Sequence, residues 1–154
     1  MPYRDFTVEL LQEWVETLLT GLDDKVDVET RTRLLEACGQ TCAVHHGDLE
    51  EARRLRGFSG GIDELLVELN RQVGWCGEWH REGDTVTSVC ETCGCPLVRD
   101  GLIELSPIFC ECSRGFVQAL FETALEKPVT VELRQAIGRG DPVCRFEVSA
   151  EQGF

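Results

Sequence analysis

The hydrophobic period of this chain changes once, near Gly74, and that change restricts the fold more than any single motif. Before it, apolar residues recur at helical spacing; after it, they alternate. A helical half followed by a strand-rich half predicts an α+β fold, with N-terminal helices packed on a twisted antiparallel sheet and a C-terminal helix-strand-strand unit. At 154 residues the chain can enclose one sizeable core and is short for two. Residues 1–154 are therefore read as a single domain, with a helical part over 1–73 and a cysteine-rich part over 74–154.

Four helices are expected in the first half. From Thr7 to Thr20, the residues Val8, Leu11, Trp14, Val15, Leu18 and Leu22 mark an apolar stripe, Glu9, Glu13 and Glu16 turn outward, and Gly21 offers a stop. A second helix runs from about Val28 to Ala43 behind Asp27 as N-cap, with Leu34, Leu35, Cys38 and Cys42 along one side. A third begins at Asp48, where Glu51 can close a capping box, and stops at Gly57. Phe58-Ser59-Gly60-Gly61 is a joint before the stripe Ile62, Leu65, Leu66, Leu69 and Val73. In the second half, Gly74 to Arg81 and Thr85 to Cys90 flank the turn Glu82-Gly83-Asp84 and predict a hairpin. A helix over Ser113 to Glu126 buries Phe116, Val117, Leu120, Phe121, Ala124 and Leu125, and Lys127-Pro128 ends it. Val129, Val131 and Leu133 then alternate in one strand, and Cys144, Phe146 and Val148 in the last.

The chain has nine cysteines, an odd number that cannot pair completely within one molecule. The first twenty residues mix acids with apolar groups instead of forming a signal-peptide core, and no run is apolar enough to span a bilayer, so the expected location is cytoplasmic and no membrane association is expected. Reducing conditions there favour metal or thiol chemistry over structural disulfides. Net charge is -13, from 28 acidic against 15 basic residues. Such a field repels phosphate backbones, so no nucleic acid is expected as a partner; a homodimer stays open.

Two C-x-C pairs, Cys93-Gly94-Cys95 and Cys110-Glu111-Cys112, stand out as candidate metal ligands. Folded together, Cys93, Cys95, Cys110 and Cys112 supply four thiolates, the donor set of a closed structural zinc site. An iron-sulfur cluster is the alternative, less favoured because a C-x-x-C-x-x-C run is absent. Cys110 and Cys112 immediately precede the helix expected from Ser113, where free amides and a nearby Arg114 favour the thiolate form. Cys90 is the substitute ligand. Cys38 and Cys42, four apart on one helix face, can chelate from one side or simply line a helix interface, and whether Cys76 joins them is open. His45, His46 and His80 are read as solvated or capping, and Cys144 as a packed core residue. Cys76-Gly77-Glu78-Trp79 lacks the second cysteine of a redox motif. No G-x-S-x-G, P-loop or G-x-G-x-x-G pattern is present.

The segments Cys110-Glu111-Cys112-Ser113-Arg114-Gly115-Phe116, Phe121-Glu122, Lys127-Pro128-Val129 and Arg139-Gly140-Asp141-Pro142-Val143-Cys144-Arg145-Phe146 carry a family resemblance. They resemble the 4-vinyl reductase-type domain, especially its cysteine-rich bacterial relatives, and more distantly L-2-amino-thiazoline-4-carboxylate hydrolases. The resemblance covers roughly Gly74 to Val148. It implies helices on a twisted antiparallel sheet holding a small hydrophobic or cofactor-like ligand. Such domains often carry a cysteine about eight positions before the last one, where this chain has Ala136.

The expected function is thus a zinc-binding, small-molecule-binding or sensor domain. Its pocket for a small apolar or aromatic ligand is expected between the sheet and the helix carrying Phe116, Leu120 and Phe121. The alternatives are a hydrolase using a cysteine nucleophile or zinc-bound water on a small C-N or C-S compound, and an iron-sulfur or thiol-based metal-handling protein.

Overall fold

A computed structural model describes residues 7–56, 60–73 and 77–154. The expected end of the third helix at Gly57, Phe58-Ser59 of the joint and the hairpin segment 74–76, with Cys76, lie outside the described residues. The fold is α+β. Helices α1 (Val8–Lys25), α2 (Val28–His45), α3 (Asp48–Arg54) and α4 (Ile62–Gln72) come first. Then follow β1 (His80–Glu82), β2 (Thr85–Cys90), the short α5 (Pro96–Arg99), α6 (Glu111–Leu125), β3 (Thr130–Gln135), a 3-10 turn over Ile137–Arg139 and β4 (Cys144–Ser149).

The helix starts follow from their caps. Thr7 accepts the Leu10 amide at 3.2 Å and Asp27 the Thr30 amide at 2.9 Å, satisfying donors that have no partner inside the helix. Gly21 does not end α1, which continues to Lys25. A glycine inside a helix costs about 1 kcal/mol, which its neighbours absorb, and the stop comes where Val26 turns extended ahead of the Asp27 cap. Asp48 lies inside α3 instead of capping it; Gly47 takes the cap position with φ +80°. Much of the α1 stripe also differs from expectation. Leu19 is buried and Val15 and Leu22 pack beside it, but Val8, Leu11, Trp14 and Leu18 are exposed.

The four strands form one antiparallel sheet in the order β1-β2-β4-β3. Val131 and Leu133 of β3 and Phe146 and Val148 of β4 turn inward, as the alternation predicts. Helix α6 lies between this sheet and α2 and α3. Its residues Phe116, Val117, Leu120 and Phe121 are fully enclosed. Trp79 joins them, edge-on to Phe121 at 4.9 Å between ring centres, with its backbone held at both ends by the Asn70 side chain at 2.8 Å.

The α2–α6 contact has no room for side chains at its closest points. A β-carbon on Gly39 would collide with the Cys112 carbonyl oxygen, and one on Gly115 with the Glu36 carbonyl. Glycine is required at both positions because the two backbones touch. Gly39→Ala is therefore expected to cost about 3 kcal/mol or more in denaturant unfolding. Gly21→Ala, with open space around the added carbon, should stabilise by about 0.5–1 kcal/mol. Equal stability of the Gly39 variant and the parent would refute the close packing.

Candidate functional site: a thiol-walled cavity

Helix α6 begins at Glu111, two residues earlier than the apolar spacing predicts. Cys110 thus occupies the N-cap position and Cys112 falls inside the first turn, instead of both preceding the helix. Cys110 makes no side-chain cap. Its sulfur faces the turn after β3, where the Gly138 amide donates to it and leaves no space for a side chain on that glycine.

The Gly140-to-Phe146 segment builds this turn. Gly140 takes φ +92°, Asp141 accepts the Ala136 amide at 2.8 Å, and the Ile137 amide donates to the Cys144 sulfur at 3.4 Å. Cys144 packs against the core as expected and also lines the cavity with Cys110. On the other side, Cys95 stands immediately before α5, and the amides of Val98 and Leu97 donate toward its sulfur.

Between these elements lies a cavity of about 40 Å³ lined by Cys93, Gly94, Cys95, Leu105, Phe109, Cys110, Cys112, Ser113, Leu133, Cys144 and Phe146. All four cysteines of the two C-x-C pairs reach its wall, joined by Cys144. The volume is room for a few water molecules. Phe116, Leu120 and Phe121 are placed in the core behind it and do not line it. His45 and His46 stack edge-on at the end of α2, and His80 bonds Glu82 and Thr87. Cys90 is disulfide-bonded, so in this state it supplies no thiolate and cannot serve as the substitute ligand. Among the described residues, no three His, Cys, Asp or Glu side chains are placed so that they could hold a metal ion.

Arg139 acts on Cys110 and Cys144, and Arg99 on Cys95, each lowering the thiol against a larger rise from burial. Arg139 pairs with Glu111, Glu111 with Arg114 at 3.4 Å, and Arg114 with Glu36 at 3.3 Å, tying the hairpin turn, α6 and α2 into one chain of ion pairs. Arg114 is thereby committed to carboxylates. Burial pushes the Cys110 thiol up to about 11 and Cys112 higher still, with neighbouring thiols adding to the rise. Cys42, Cys95 and Cys144 are raised chiefly by burial as well. A cysteine nucleophile needs the opposite shift. On the wall, Cys95, Cys110, Cys112 and Cys144 are thus held as neutral thiols.

The sign of the resulting pH dependence follows. An unfolded thiol releases its proton near 9.0, whereas folded Cys110 keeps it until about 11. Between those values the unfolded chain binds fewer protons, so stability is full below 9.0 and falls as pH rises through that interval. Metal-free protein should show this loss in denaturant titrations, and Cys110→Ser should flatten it. A parent chain whose stability rises over the same interval would contradict the buried, neutral thiols.

Comparison with known proteins adds the following. No curated protein matches the chain. Among solved structures, the crystal structure of the phenol-responsive sensory domain of the transcription activator PoxR with phenol is similar, with a TM-score of 0.55 and 15% identity. The likeness covers 97% of this chain and 78% of that one, and shows a shared fold. A family profile, described as a family of unknown function, matches residues 5–153. The chain belongs to that family, DUF6144.

Proposed function

We propose that the chain is a small-molecule-binding sensor domain that takes an apolar or aromatic ligand into the thiol-walled cavity, with a soft metal held in the adjoining cysteine cluster. The lining carries this reading. Leu105, Phe109, Leu133 and Phe146 offer apolar surface on one side, and five cysteines close the other. Pockets of this composition bind through burial of carbon, with a few polar groups setting orientation. At about 40 Å³ the cavity is smaller than the roughly 150 Å³ that holds a benzene ring, so a single-ring guest enters only as the lining side chains move outward.

The shared fold with a phenol-responsive sensory domain supports the ligand class. So does the resemblance of Gly140-Asp141-Pro142-Val143-Cys144-Arg145-Phe146 to the 4-vinyl reductase-type domain. For the metal, the chemistry of the donors is the support: the cavity wall carries thiols and no carboxylate, which suits zinc first and an iron-sulfur cluster second. A bound cation would supply the charge that thiolates in this buried wall lack, and its binding energy would add to folding.

The test is thermal melting of the purified chain with phenol and other single-ring compounds. Ligand at about 100 times Kd should raise Tm by roughly 5–10 °C, since it binds only the folded state. Leu105→Phe, which fills the cavity from a loop, should melt like the parent and lose the ligand response. No shift with any single-ring compound, at concentrations up to their solubility, would end the sensor reading.

A further inference from the structure

We propose that the exposed face of α1 is the contact between two copies of this chain, packed antiparallel about a two-fold axis at the middle of the helix. The inference stands apart from the cavity and from whatever binds there.

The position of α1 is fixed from its inner side. Leu19 is buried, and Val15 and Leu22 pack into the cluster of Leu35, Ile108, Phe109 and Cys112. The Gln12 side chain donates to the Gly101 carbonyl, and Asp23 pairs with Arg31. With that side engaged, no roll of the helix buries its remaining apolar residues as well. Val8, Leu10, Leu11, Trp14 and Leu18 are all exposed, Trp14 to 61%. Their combined open surface, about 450 Å², is close to the roughly 500 Å² of apolar surface that each half of a standard homodimer interface buries.

The spacing identifies the occupant as a second copy. Thr7, Leu11, Trp14, Leu18, Gly21 and Lys25 follow one another at intervals of four, three, four, three and four, the seam spacing of paired helices. That series is the same in both directions. A second α1 laid antiparallel therefore sets Trp14 against Leu18 of the other copy, Leu11 against Gly21, and Thr7 against Lys25. Each contact is made twice, as a two-fold interface requires. The pairs also match in size, since Gly21 has open space around it and admits a leucine from the facing helix.

Charge agrees with this arrangement. Glu9, Glu13, Glu16, Asp23 and Asp24 fall outside the series, so the seam is free of acids although the chain carries a net charge of -13. Lys25, the basic residue of the last turn, comes to the first turn of the other copy, where Glu9 stands. A different partner would not need a face that is its own complement.

The test is sedimentation equilibrium of the full-length chain from about 1 to 100 μM. The parent should pass from one copy per particle to two. Trp14→Glu and Leu18→Lys alter exposed positions and should keep the parent's circular dichroism. Each should weaken association at least about thirtyfold, the loss expected when an anchoring side chain leaves the centre of an interface. Mixed in equal amounts, the two variants should associate again, because the carboxylate introduced in one faces the ammonium introduced in the other. Failure of the mixture to associate would overturn the antiparallel arrangement. A parent dimer indifferent to Trp14→Glu would overturn the choice of face. A parent still monomeric at about 100 μM would overturn the dimer itself and leave α1 to a partner of different chemistry.

Discussion

Everything around the cavity depends on how closely α6 approaches α2. The two backbones meet at Gly39 and Gly115, positions where even a methyl group has no space. That contact fixes where the first turn of α6 lies, and therefore where Cys110 and Cys112 point. On its opposite side α6 presents Phe116, Leu120 and Phe121 to the core it shares with the sheet residues Leu133, Phe146 and Val148. A helix gripped on both faces has little freedom to shift. Its N-terminal end, flanked by irregular chain over residues 100–110, is where close packing gives way to a cavity.

The cavity wall gathers five cysteines, and Arg139, the cation acting on Cys110 and Cys144, is shared with Glu111. The basic groups nearby are occupied by carboxylates, in the series Arg139, Glu111, Arg114 and Glu36. Burial then favours the protonated thiol at Cys95, Cys110, Cys112 and Cys144. With those thiols protonated, that part of the wall adds no charge of its own. Amides at Cys95, Cys110 and Cys144 act against the rise that burial causes without cancelling it.

Local chemistry made much of the fold legible in the sequence. The Asp27 cap was readable because a side-chain oxygen at that position satisfies a specific amide, whereas Thr7, read as the first helical residue, proves to be the cap of α1. The alternation of Val131 with Leu133 and of Phe146 with Val148 gave the inward face of the sheet. What escaped was set by distant contacts. Gly21 reads as a stop, yet α1 passes through it. The exposed Trp14 and Leu18 look core-facing by spacing, but the interface on α1 is restricted to Val15, Leu19 and Leu22. Cys144 reads as core filler because its strand mates are apolar, and it does pack on the core; its place beside Cys110 on the cavity wall depends on a contact between distant segments that spacing does not show. Gly39 and Gly115 carried a signal that spacing alone does not reveal, since a glycine inside a helix becomes informative only when its partner helix is known.

The ion-pair chain and the burial of α6 have a mechanical consequence. Fifteen residues of helix make a rod about 22 Å long. One end is bonded through Glu111 to the hairpin turn and through Arg114 to α2. At the far end, Arg56 just beyond α3 donates to the Thr123 carbonyl at 3.0 Å and meets Glu126 at 3.4 Å. A rod enclosed along its length transmits a tilt instead of absorbing it by bending. Small displacements of the sulfurs at one end therefore arrive, undivided, at the junction between the helical half of the chain and its sheet.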